Sequence, residues 1–101
     1  MKFFLPLAIA FALTILATPS LAADIEAGKQ KAMTCAACHG ANGISSNDMW
    51  PNLAGQKKGY LISQLQMFRD GRRNNPMMTA MSKGLSDADI VNLSAYYASL
   101  K

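Results

Sequence analysis

Two cysteines, one histidine and seven methionines carry the most distinctive chemistry of this 101-residue chain. Both cysteines and the histidine fall within five positions, as Cys35-Ala36-Ala37-Cys38-His39. That pattern is C-x-x-C-H, the attachment sequence for a c-type haem. Two thiols at this spacing can form thioethers with the two vinyl groups on one porphyrin edge, and a histidine directly after the second is carried under the iron. Three other readings of these residues fit less well. A thioredoxin-like C-x-x-C calls for a βαβ context, and no stretch of this chain shows strand alternation. A structural zinc site takes four ligands, and two Cys plus one His supply three. A plain disulfide leaves His39 unexplained.

His39 is the chain's one histidine, so a second axial ligand from the chain is not histidine. Methionine, water or an open position remain. Met33 is too close to the attachment site to reach round the ring, Met67 sits in a helical pattern beside Phe68, and Met49 precedes Trp50. Met77, Met78 and Met81 lie in or after a proline-bearing loop about 40 residues beyond His39, well placed to close over the other haem face. Spacing does not choose among these three. A His/Met pair raises the reduction potential, because thioether sulfur favours reduced iron. Methionines that do not ligate would fill gaps around the ring.

The segments that position these residues begin after an N-terminal leader. Lys2 is followed by the uncharged apolar run Phe3–Ala17, the breaker Thr18-Pro19-Ser20 and a small-x-small site at Ser20-Leu21-Ala22. This is the pattern of a secretory signal peptide over residues 1–22; the run falls short of the roughly 20 residues of a spanning helix. Export to the periplasm is expected, where c-type haem attachment takes place. Residues 23–101 then form one small domain, marginal as a stand-alone core without a staple. A covalent haem is that staple. Two-domain enzymes and multi-disulfide scaffolds are excluded at this length and cysteine count. The net charge of +4 falls by one when Lys2 is removed, and the pairs Lys57-Lys58 and Arg72-Arg73 are isolated. Nucleic-acid binding calls for a denser basic face, so these charges read as solvated surface.

Three helical patterns stand out in an all-α chain. Ala23–Met33 is acidic at its start and basic further on, as the helix dipole favours. Lys57–Asp70 repeats Leu61, Leu65 and Phe68 on one face and stops at Gly71. Asp87–Leu100 follows Ser86 as cap, with Asp89 three residues on as an acidic capping box. Ile90, Leu93, Tyr97 and Leu100 line its inner face. Residues 40–48 and 74–78 read as loops, the second with Pro76 against a helix there.

With these pieces in order, the mature chain resembles the class I cytochromes c, small bacterial periplasmic proteins, and is similar to one half of the dihaem cytochromes c. The resemblance rests on Ala27-Gly28-Lys29, Cys35 to Gly40, Trp50 to Gln56, Tyr60-Leu61, Gln64-Leu65, Arg72 to Met78, Leu85 to Ile90 and Leu93 to Tyr97. It implies a cytochrome c fold, with about three main helices and ordered loops wrapped around one covalent haem c and its iron. Cys35 and Cys38 would hold the haem, with His39 as proximal ligand. Counted back from Leu85-Ser86, the family's axial methionine falls on Met78. Pro51 matches the proline whose carbonyl accepts a hydrogen bond from the proximal histidine, a contact that tunes the metal. Gly28 matches the small residue where the first and last helices cross, with Tyr96 as its aromatic partner.

The function expected is electron carriage rather than catalysis. An iron held by His39 and Met78 has no open position for substrate. Partners would be transient redox proteins: a membrane quinol-oxidising complex on one side, a terminal oxidase or periplasmic reductase on the other, with the chain a monomer or weak dimer. One alternative is a ligand-binding or peroxidase-like haem protein with an open distal site, where Arg69, Arg72 or Arg73 replaces a distal histidine. Another is an obligate haem subunit of a larger redox enzyme, with Met49, Trp50 and Tyr60 at its contact surface.

Overall fold

The structure, a computed structural model, describes residues 1–14 and 22–101. Residues 1–14 are exposed and form no regular element. The cleavage site expected at Ser20-Leu21-Ala22 falls in part outside the described residues. No helix among the described residues is long and apolar enough to cross a membrane.

Five α-helices and one 3₁₀ turn make up the rest, with no strand among the described residues: α1 (Ile25–Lys31), the turn (Ala32–Thr34), α2 (Ala36–His39), α3 (Lys58–Arg69), α4 (Pro76–Ser82) and α5 (Asp87–Ser99). The all-α expectation holds, and the three long helical patterns correspond to α1 with its turn, α3 and α5. Asp24 caps α1 by accepting the Ala27 N–H at 3.0 Å, and Lys29 and Lys31 close its last turn. Ser86 and Asp89 form the expected capping box on α5, both hydrogen bonds measuring 3.0 Å. These Ser86 hydrogen bonds, the backbone N–H foremost, and the nearby Lys31 ammonium hold the Asp89 carboxyl below its ordinary range.

α1 packs across α5, and Gly28 makes that approach possible. A Cβ there would overlap the Asn92 carbonyl oxygen and stand 2.9 Å from Tyr96 Cβ. The crossing is tied at its edges by Asp24 N–H to Asn92 Oδ1 (2.9 Å) and by Lys31 to Asp89 (3.4 Å). Periodicity singles out Tyr97 and the resemblance singles out Tyr96; the structure buries both, their rings 5.2 Å apart. The core joins Ala32, Leu61, Leu93, Tyr96 and Tyr97, with Leu53, Leu65, Leu85 and Leu100 packed around it.

The segment 74–78 is not the loop its proline suggested. Pro76 starts α4, and Asn75 accepts the Met78 N–H at 3.0 Å. At the first helical position proline gives up no hydrogen bond, since that N–H is unpaired in any helix. Before it, Gly71 ends α3 with φ +75°, a left-handed cap that glycine adopts without strain.

Candidate haem site

α2 is a single turn, and it brings the chemically distinctive residues to one place. Cys35 and Cys38 are half-buried free thiols on one end of a cavity of about 370 Å³. His39 is 7% exposed, and its Nδ1 lies 2.8 Å from the Pro51 carbonyl oxygen. A carbonyl only accepts, so Nδ1 carries the proton and donates, which leaves Nε2 with a free lone pair. The loop that presents Pro51 is itself fixed. Leu53 and Ala54 donate to the Gly43 carbonyl at 2.8 and 3.0 Å, Asn52 Oδ1 accepts the Ser45 N–H at 2.7 Å, and Gly55 donates to the Tyr97 carbonyl at 2.9 Å.

The walls of the cavity are mostly apolar. α3 contributes Leu61, Leu65 and Phe68, and α5 contributes Leu93 and Tyr97. Burial and, after it, the Cys35 thiol push the Tyr97 phenol well above its ordinary range. α4 brings Met77, Met78 and Met81 to the same space. Their exposures differ: Met77 is 58% and Met81 49% exposed, while Met78 is half-buried. Met33 and Met67 do not line the cavity, as their positions in the chain suggested, and Met49, Trp50 and Tyr60 stand at it.

Every residue singled out from the sequence for the site (Cys35, Cys38, His39, Pro51 and Met78) therefore meets at this one cavity. The donor set fits a c-type haem: two thiols on one turn, an imidazole oriented with Nε2 free, a thioether available from a second helix, and apolar walls for a flat apolar ring. Ser94 adds an unpartnered buried hydroxyl to the wall. Ser94 escapes the sequence reading of the site, Gln64 enters it only through the family resemblance, and Arg73 only as one of three arginines offered for an open distal face. Arg73 lies one position from Arg72 and four from Arg69, and which of the three turns inward is decided by tertiary contacts.

The family model for cytochrome c matches residues 25–101. The chain is 47% identical over 81 residues to cytochrome c-554(548) of Halomonas halodenitrificans, covering 77% of this chain and 98% of that protein. It is 45% identical over 80 residues to cytochrome c4 of Pseudomonas aeruginosa, covering 79% of this chain and 40% of that one. Among solved structures, reduced recombinant cytochrome c4 from Pseudomonas stutzeri superposes with a TM-score of 0.75 at 40% identity, over 79% of this chain and 47% of that chain. The chain thus spans nearly all of one relative and less than half of the cytochromes c4.

Proposed function

This chain belongs to the cytochrome c family, a c-type cytochrome electron carrier with one covalent haem c, and on that premise we propose how its own residues do the work and where. The haem, when bound, supplies a ferric/ferrous couple that takes up and releases one electron at a time. Cys35 and Cys38 hold it through thioether bonds. His39 Nε2, oriented by the Nδ1–H bond to Pro51 (2.8 Å), and the Met78 sulfur would be the chain's two donors to the iron. Together they leave no coordination position for a substrate, so the protein carries electrons and does not itself catalyse a reaction. Leu61, Leu65, Phe68 and Leu93 keep water from the ring, and a low-dielectric surround with fixed ligands keeps reorganisation small. Burial and the thioether ligand both raise the reduction potential.

The working site is the periplasm, reached by export and removal of residues 1–22. Encounters are transient and use a small interface, with a membrane quinol-oxidising complex as donor and a terminal oxidase or periplasmic reductase as acceptor. The observation that carries this reading is the pairing of an oriented His39 with a half-buried Met78 at one cavity. It is tested by absorption spectra of the matured protein with and without carbon monoxide. Wild type and Met77→Ala show a low-spin spectrum with a sulfur-to-iron charge-transfer band and no carbon monoxide response; Met78→Ala loses the band. A wild-type protein that binds carbon monoxide readily overturns the carrier reading in favour of an open iron. Mass spectrometry of the same preparation checks that the chain begins at Ala23.

A further inference from the structure

Tyr97 meets the haem cavity in two ways. Its main-chain carbonyl accepts the Gly55 N–H at 2.9 Å and so ties down the loop that presents Pro51 to His39. Its side chain lines the cavity. The residue is 4% exposed and belongs to the core cluster against which Cys35 packs. The polar atom beside its hydroxyl is the Cys35 sulfur. A buried phenol needs a partner for its O–H, because a donor left unpaired away from water is costly.

Thioether formation changes what that sulfur can do. A free thiol both donates and accepts weakly, whereas a thioether carries no proton and can only accept. Two hydroxyls stand near Cys35 Sγ. Thr34 Oγ1 lies 3.9 Å away, but it donates its proton to the Lys31 carbonyl at 3.1 Å. Beside a thioether, Thr34 has nothing left to give. The Tyr97 phenol keeps its proton through the neutral range, and burial, followed by the Cys35 sulfur, makes it harder still to ionise. Ala32, Leu61 and Leu93 of the same cluster offer it no side-chain acceptor.

We propose that the Tyr97 hydroxyl donates a hydrogen bond to the sulfur through which Cys35 holds the haem, and that this bond positions the Cys35 attachment and tunes the reduction potential. The assignment rests on the haem reading above and deepens it for one of the two sulfurs. That sulfur is bonded to a substituent of the porphyrin edge. A donor on it draws electron density from the ring, which favours the reduced iron. Tyr97 is thus a positioning residue that acts through Cys35, while its main-chain bond to Gly55 sets it on the loop that fixes His39.

The test is resonance Raman spectroscopy of the matured protein in light and heavy water, with the reduction potential measured alongside, for wild type, Tyr97→Phe and Thr34→Val. A thioether that accepts a hydrogen bond has a carbon–sulfur stretching band that moves on deuteration. Wild type and Thr34→Val should show that response. Tyr97→Phe should lose it and have a lower potential than wild type, although phenylalanine keeps the ring and its packing. A wild-type band indifferent to deuterium overturns the assignment. So does a response that survives in Tyr97→Phe or disappears in Thr34→Val, or a Tyr97→Phe potential equal to that of wild type. Should Tyr97→Phe fail to mature, the single-thioether variants decide. A response present in Cys38→Ala, which keeps the Cys35 link, and absent in Cys35→Ala supports the bond; the same behaviour in both, or the reverse, refutes it. The pyridine haemochrome of wild type checks the haem reading separately; its absence sinks that reading, whatever the Raman bands show.

Discussion

Replacing Gly28 by alanine sets two effects of opposite sign against each other. In an unconstrained helix the change stabilises by about 1 kcal/mol, because glycine has the higher backbone entropy to lose. At this crossing the new Cβ would overlap the Asn92 carbonyl oxygen, stand 2.6 Å from the Asn92 carbonyl carbon and 2.9 Å from Tyr96 Cβ. These atoms are set by the backbone of α5, so no change of rotamer relieves the conflict. α1 has to withdraw by about 1 Å to restore ordinary contact distances. That withdrawal strains the Asp24–Asn92 bond and loosens the packing on Tyr96. Overpacking costs about 1–3 kcal/mol, and a backbone obstacle puts this case at the upper end. After the propensity gain is subtracted, the net loss is about 2 kcal/mol. For a domain of this size it lowers Tm by on the order of 10 °C. Thermal unfolding of the haem-loaded protein, followed by far-ultraviolet circular dichroism, measures it. Gly59→Ala is the control, because a Cβ there meets nothing within 4 Å, and it should be neutral or stabilising. A Gly28→Ala protein as stable as wild type would refute the claim that the α1–α5 crossing depends on a missing side chain.

Three further outcomes follow from local geometry. Asn75→Ala removes the cap whose acceptor sits on the Met78 N–H at 3.0 Å; it should cost about 1 kcal/mol and weaken the sulfur-to-iron band even though Met78 is intact. Asp89 has its carboxyl pKa depressed in the folded state, first by the Ser86 backbone hydrogen bond, so its contribution is present above the unfolded carboxylate pKa and is lost as pH falls through the lower folded value. Asp89→Asn should therefore be less stable than wild type at neutral pH, and the gap should close on acidification below about pH 4, as read by denaturant melts across pH. Ser82→Ala deletes a fully buried hydroxyl with no hydrogen-bond partner; nothing is lost on its removal, and Tm should stay level or rise.

The helices that dominate the fold were readable because their signals are local. Ser86 with Asp89, Gly71, and the Leu61–Leu65–Phe68 face each act within one or two turns, and the observed ends of α3 and α5 lie within a residue of those expected. α4 was hidden by Pro76, which reads as a breaker unless the preceding Asn75 is recognised as its cap. Cys35, Cys38 and His39 were legible because covalent attachment demands adjacency in the chain. Met78 was not separable from Met77 and Met81 by spacing, since all three reach the cavity; the family resemblance picked it, and its lower exposure agrees. Arg73 was legible only as one of three arginines, at 69, 72 and 73. Arg69 and Arg72 are held by Asp70, and the Arg69–Asp87 pair exists only once α3 meets α5, so which arginine is left to line the cavity is set by packing.

The acceptor that orients His39 belongs to the main chain of residue 51, and a main-chain carbonyl survives every substitution of its own side chain. Histidine orientation at this site is thus insulated from point mutation and exposed to changes in loop length. One residue inserted or deleted between Gly43 and Gly55 would displace the carbonyl while leaving the side chains of α3, α4 and α5 at the cavity unchanged in sequence. Because Gly55 is bonded to the Tyr97 carbonyl near the end of α5, the same loop also registers where the last helix stops. The loop's length, more than its composition, therefore sets the orientation of His39.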